Sequence, residues 1–196
     1  MMIKDKELHF TDIVSGETFE NCTFLKTNDL IRISEVSFID CTFEQSDFTS
    51  SEWLDCTFKR VNFANCHFEK SIVYRTKFLT CNLLGVDFST NSWKNNQITD
   101  CRVDYANFSD SKLIKCVVKD SSFKETYFRY VEFKTGFTAT HCNFDGVSFL
   151  GSKLAKVDLS TSEFDTLEVF SEDLEGLIIN QFQASTLIGV LGVIVK

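Results

Sequence analysis

The chain has no proline in 196 residues, only eight glycines, two tryptophans and three histidines. Without proline, turns cannot be set by residues whose φ is locked near −65°, so they must come from a repeating backbone geometry. Met1–Glu7 holds no apolar run, so no secretory signal is expected. The longest apolar stretch, Ala184 to Val195, is interrupted by Ser, Thr and Gly and is too short to cross a bilayer. A cytoplasmic protein with reduced thiols and no membrane partner is the expectation. There is no Gly-rich phosphate loop, nucleophile elbow or zinc-protease motif, and His9, His67 and His141 are scattered. Neither catalysis nor a cofactor is expected. The net charge of −8 argues against nucleic acid as a direct ligand.

What the chain does have is phenylalanine, 21 of them against 4 tyrosines, and their spacing is five. From Phe38 the step runs through Phe43, Phe48, Trp53, Phe58, Phe63, Phe68, Val73, Phe78 and Leu83. It continues through Phe88, Trp93, Ile98, Val103, Phe108, Leu113, Val118, Phe123, Phe128 and Phe133. A 43% hydrophobic fraction does not give such a run by chance, and neither the helical period of 3.6 nor the strand period of 2 generates it. Two residues before each large residue stands a compact one, from Val36, Cys41, Ser46, Ser51 and Cys56 on to Thr126 and Val131. Both columns are expected to point inward, and the other three residues of each five outward. All eight cysteines, Cys22 and Cys142 included, fall in the compact column, so they are expected to be packing residues rather than metal ligands. Cys81 and Cys101 stand twenty residues apart, one above the other in adjacent coils.

The frame slips twice. Val14, Phe19 and Phe24 fit one register, but Phe24 to Phe38 is one residue short. Phe133 to Phe144 is one residue long, after which Phe149, Leu154, Leu159, Phe164 and Val169 resume the step. Residues 25–37 and 134–143 are therefore expected to be corners or bulges.

A central Phe or Leu with a compact residue two before it resembles the pentapeptide repeat family. That resemblance implies an all-β fold, a right-handed quadrilateral β-helix in which four pentapeptides make one coil. No coil can bury its own face, so neighbours must stack. Residues 1–172 would form about eight coils, with 173–196 as a C-terminal cap and dimerisation segment.

Charge is segregated along the chain. Residues 1–57 carry twelve acids and four bases, 58–135 eight acids and thirteen bases, and 136–196 eight acids and three bases. The face of Phe48, Phe68, Phe88, Phe108 and Phe128 displays Asp47, Glu69, Asp87 and Asp110 against Lys70 and Arg129. The face of Trp53 and Trp93 displays Arg75, Lys94, Lys112, Lys115 and Lys134. Asp145, Asp158, Glu163 and Asp165 add carboxylates near the C-terminal end. Segregated charge serves a solvated surface or a partner.

After Val169 the compact-residue rule fails at Glu172, so the coil should end there. Asn180 is placed to cap a helix over about 181–191, with Ala184, Leu187, Ile188 and Leu191 on one stripe. Gly192 should stop it, leaving Val193, Ile194 and Val195 as a short strand. Asp173, Leu174, Gly176, then Phe182, Gln183 and Ala184, then Leu191 and Gly192 resemble the tail of the Qnr-type quinolone resistance proteins. This resemblance implies a rod that dimerises through its C-terminus, burying Phe182, Ala184, Leu187, Ile188, Leu191 and Val193 to Val195. It also implies binding to DNA gyrase and topoisomerase IV, partly by DNA mimicry, and protection from fluoroquinolones. The eight carboxylates just named would be the docking residues. A generic rigid scaffold for another protein is the alternative reading.

Overall fold

The computed structural model describes residues 1–190 and 192–194, so the expected positions of Leu191 and Val195 lie outside the described residues. A large apolar residue every fifth position can be buried only if the chain turns a corner after each one. It does so, and parallel pairing at an offset of twenty stacks the coils. Phe38 pairs with Phe58, Phe58 with Phe78, Phe78 with Ile98, and Ile98 with Val118. The result is a four-sided β-solenoid of about eight turns with one short C-terminal helix.

Its faces are named here by their inward residues. Face A carries Phe38, Phe58 and Phe78; face B Phe43, Phe63 and Leu83; face C Phe48, Phe68 and Phe88; face D Trp53, Val73 and Trp93. Faces D and A are built of three-residue strands such as Glu52–Leu54 and Thr57–Lys59, joined into one large sheet. In the middle of the rod, faces B and C touch from coil to coil through single bridges, such as Asn62 with Asn82 and Asn107 with Tyr127.

The corners explain the missing proline. From Ser50 to Thr135 every fifth residue has a positive φ, and only Gly85 among them is glycine. Proline cannot adopt that angle, and for other L-residues it is unfavourable. What holds each corner is its own N–H, which donates to the next coil: Asp55 N to Tyr74 O and Asn95 N to Ile114 O, both 2.9 Å. Inside, rings stack along the axis. Phe38 lies 5.2 Å from Phe58 with planes 9° apart, and Phe108 lies 4.9 Å from Phe128 at 10°. Around a coil they meet edge to face, as Phe58 and Phe63 do at 84°. Both arrangements suit the ring quadrupole.

Several positions depart from the sequence expectation. Val14 is exposed, and Ile13 beside it packs on the core instead. The coil begins earlier than Val14, since Ile3 already pairs with Phe19 and Leu8 with Phe24. Ser46 is exposed, and Gln45 is buried in its place. Gln45 accepts from Thr27 N and donates to Asp47 O, tying down the segment before Ile31. The first irregular stretch is accordingly narrower than 25–37, for Arg32–Ser34 and Ser37–Ile39 are regular strands.

The second slip is a bulge. Ile114 faces Lys134, but Cys116 faces Phe137, so one extra residue is absorbed at Thr135–Gly136. Phe137 then occupies the compact slot over Cys116, and Ala139 the large slot over Val118. Both are buried, while Phe133 is only half-buried. Large and small have exchanged places, which keeps the volume of the layer nearly constant.

Backbone pairing also outlasts Glu172. Leu154 N bonds Asp173 O, Lys156 N bonds Gly176 O, and Leu159 N bonds Ile178 O. A 3-10 turn at Ser171–Asp173 turns Glu172 outward and buries Asp173, so an acid in the expected slot does not end the coil. The helix covers Ala184–Val190, shorter than 181–191, because residues 181–183 form a turn. Val193 and Ile194 are exposed and form no strand: a strand needs an open edge, and side chains occupy carbonyls of the preceding coil.

Candidate functional site

The eight carboxylates do not share one surface. Asp47, Glu69, Asp87 and Asp110 stand on face C; Asp145, Glu163 and Asp165 on face B; Asp158 on face A. Several already serve the backbone. Asp47 accepts from Thr49 N at 2.9 Å, Asp87 from Ser89 N at 2.8 Å, and Asp158 from Ser160 N at 3.0 Å. The amides of Asn62, Asn107 and Asn143 do the same work at equivalent positions. An Asx side chain before the inward residue satisfies the N–H two positions later, which the coil leaves unbonded. The Thr49 N–H holds the Asp47 carboxyl below the usual carboxylate range.

Structure brings three of the eight together. Asp145 accepts from Thr166 Oγ1 and N, both at 2.9 Å, and from Asp165 N at 3.3 Å. Thr166 above all keeps the Asp145 carboxyl low. Glu163 accepts from Asn143 Nδ2 at 2.8 Å. Asp145, Glu163 and Asp165 thus form a carboxylate group spanning two coils of face B.

On faces D and A opposite charges meet one coil apart. Arg75 donates twice to Asp55 at 2.6 Å, Arg32 meets Glu52 at 2.9 Å, and Arg60 pairs with Asp40. Lys112 and Lys134 share Glu132. These pairs are exposed and contribute little to stability, but each offsets an acid with a base, mostly one of a neighbouring coil.

The tail makes a lid. Asn180 Oδ1 accepts from Phe182 N and Gln183 N, while Gln183 Oε1 accepts from Asn180 N, a reciprocal cap. Buried Gln183 donates to Leu159 O at 3.0 Å and Ser162 O at 2.8 Å, and Asn180 donates to Ser160 O. Leu187 and Val190 pack on the core. Of the expected dimer residues, Phe182, Val193 and Ile194 are open to solvent, while Ala184, Leu187 and Ile188 are half-buried within the chain.

All eight cysteines are buried and unbridged. Burial pushes the thiols of Cys41, Cys56, Cys66, Cys116 and Cys142 up to about 11. The hydrogen bond to Cys81, and then burial, push Cys101 up as well. Among the described residues no three His, Cys, Asp or Glu side chains converge as a metal site, and no helix is long and apolar enough to cross a membrane.

Sequence reasoning passed over an aromatic patch. Tyr105, Tyr127 and Tyr130 are exposed on two adjacent coils, and Arg129 lies over the Tyr127 ring, 4.7 Å from its centroid. Arg129 also pairs with Glu168 at 2.9 Å. The signal was available: three of the chain's four tyrosines fall within 26 residues, all at outward positions.

No family model matches the chain, and no curated relative does. Among solved structures, full-length QnrB1, a plasmid-mediated fluoroquinolone resistance protein, is 19% identical. It covers 98% of this chain and 97% of its own, with a TM-score of 0.49. A trypsin-treated single-substitution variant of QnrB1 is 20% identical over 100% of this chain and 97% of its own, at 0.48. HetL, a pentapeptide repeat protein involved in heterocyst differentiation regulation in the cyanobacterium Nostoc, is 11% identical over 92% and 81%, at 0.33. The five-residue period, the four faces and the left-handed corner at every fifth residue make this chain a pentapeptide-repeat β-helix.

Proposed function

We propose that this rod binds the type II topoisomerases DNA gyrase and topoisomerase IV and shields them from fluoroquinolone-type poisons, acting by occupancy and not by chemistry. The observation that carries the reading is the tail. Asp173, Leu174, Gly176, Phe182, Gln183 and Ala184 lie beyond the generic repeats and resemble the Qnr-type ending, and here they close the coil with apolar surface to spare. Exposed Phe182, Ile178, Val193 and Ile194 supply a face for a second copy of the chain, giving a two-fold rod joined end to end.

Charge density limits how far DNA mimicry extends. B-DNA carries about one negative charge per 1.7 Å of axis. Coils repeat about every 4.8 Å. The carboxylates of faces B and C, spread over the whole rod, fall well short of that density. Asp145, Glu163 and Asp165 occupy two successive coils, about one charge per 3.2 Å, with no base on face B of those coils. Mimicry therefore belongs to the C-terminal third of face B, next to the proposed dimer centre.

The test is gyrase supercoiling at an inhibitory fluoroquinolone concentration, with and without the purified chain. Supercoiling should return. Replacing Glu163 and Asp165 by Lys should abolish the rescue with the fold intact, while Arg75→Glu on face D should not. No rescue at any drug concentration removes the topoisomerase reading and leaves a rigid scaffold for another protein, the second reading, which the exposed tyrosines of face C also favour.

A further inference from the structure

We infer that face C, at the coils of Phe108 and Phe128, is a clamp for arginine side chains of a protein partner. The inference rests on reading the rod as a protein-docking surface and does not depend on which protein docks.

The clamp has two jaws, at the two corners that flank the face. Where face B turns into face C, Tyr105 and Glu125 occupy the same corner slot in adjacent coils. Where face C turns into face D, Asp110 and Tyr130 do the same in the opposite order. The backbone fixes both stacks, with Tyr105 N bonded to Lys124 O at 2.8 Å and Asp110 N to Arg129 O at 2.9 Å. Each jaw therefore sets a ring one coil away from a carboxylate. Tyr105 is 57% exposed and Tyr130 64%. Among the described residues neither Glu125 nor Asp110 has an ion-pair partner, and no hydrogen bond engages either phenol. These are aromatic faces and carboxylates waiting for a cation.

The chain shows what fits. Between the jaws Arg129 lies on Tyr127, pairs with Glu168 and donates from Nε to Ser148 Oγ at 2.8 Å. A guanidinium over a tyrosine ring, paired with a carboxylate, is the arrangement the jaws would reproduce. A planar, weakly hydrated guanidinium stacks there better than a compact ammonium. The rings and carboxylates are also held ready. The Tyr130 ring lies against Gly151, where an added Cβ would fall 2.5 Å from Cδ1 and Cε1. Glu125 lies over Gly146, where a Cβ would fall 2.7 Å from Oε1. Glycine in the next coil gives each of these side chains a flat shelf, leaving its other side open. Charge at the jaws is mixed, with Lys124 and Arg129 beside Glu125 and Asp110, and turns wholly acidic on the adjoining face, where Asp145, Glu163 and Asp165 disfavour a phosphate.

The experiment uses the intact chain and two peptides of neutral background, one with two arginines and one with two lysines at the same positions, compared by titration calorimetry at low salt. The arginine peptide should bind about five-fold more tightly, the scale expected of exposed cation–π contacts. Tyr105→Leu and Tyr130→Leu should each erase the preference, Tyr130→Phe should keep it, and Glu125→Gln with Asp110→Asn should weaken both peptides. Equal affinity for the two peptides, or a preference that survives loss of both rings, overturns the clamp. A chain that discriminates arginine but fails to rescue gyrase keeps the clamp and loses the topoisomerase reading. Rescue without discrimination does the reverse.

Discussion

Faces A and D and faces B and C are made from the same repeat, yet they treat charge in opposite ways. On A and D an acid in one coil meets a base in the next, as Asp55 meets Arg75 and Asp40 meets Arg60. On B and C most acids turn to their own backbone, as Asp47 and Asp87 do, or stand without a base among the described residues, as Glu125 and Asp110 do. Glu168 pairs with Arg129 there, and Asp104 with Arg102. The first pair of faces carries most of the acid–base pairs between coils, together with lysines such as Lys94 and Lys115 that meet no acid among the described residues. The second is left with surplus negative charge and exposed tyrosine, so the surface available to a partner is set by which columns neutralise themselves.

The sharpest test of the comparison is whether the faces differ only outside. Phe78→Ala on face A and Phe108→Ala on face C should each cost about 3–5 kcal/mol in chemical denaturation, since both rings are buried and stacked along the axis. A loss below about 1 kcal/mol at either would show that the core layer is not continuous there. Next in size is the lid: Gln183→Leu strands the carbonyls of Leu159 and Ser162 and should cost about 2–3 kcal/mol. A smaller loss, about 1 kcal/mol, is expected for Gly151→Ala, which must hold alanine at φ +71 and push the Tyr130 ring aside; a tyrosine resonance shift in the NMR spectrum would report it.

Acid separates the two pairs of faces more finely. The Asp47 and Asp145 carboxyls are depressed by hydrogen bonds from Thr49 and Thr166. A depressed carboxyl stabilises the fold above its unfolded pKa, about 3.9, and that contribution disappears as pH falls through the lower folded value. Asp47→Asn and Asp145→Asn should flatten the acid limb of a stability-versus-pH curve by lowering the neutral plateau toward the acid value. On faces A and D, Asp55 is held low by Arg75 instead, so its part of the acid limb should shrink in high salt. Arg75→Ala itself should fall within the error of a denaturation curve.

Much of this architecture can be read from the chain, because a period of five leaves one way to bury a large residue at every step. The inward column from Phe48 to Phe128, the burial of all eight cysteines and the bulge near Gly136 follow from spacing alone. Position within a corner does not. Ser46 and Gln45 are neighbours, and which one turns inward depends on Thr27, eighteen residues back. Phe137 and Ala139 exchange slots because the extra residue shifts the small and large columns by one, which no local signal announces. The candidate site was legible in composition but not in geometry. Counting acids found Asp47 and Asp87 without revealing that one oxygen of each is occupied, and missed that Tyr105, Glu125, Asp110 and Tyr130 share two corners.

The lid of Asn180 and Gln183 has a consequence beyond stability. A parallel coil ends in a row of carbonyls that would accept another coil as readily as the last one did, which is the growth face of a fibre. Occupying Leu159 O, Ser160 O and Ser162 O with side-chain amides stops elongation at that face. Its length is then written in the sequence instead of being set by protein concentration, and whatever meets the end must do so through Phe182 and Ile194, as a discrete contact rather than as the next layer of a polymer.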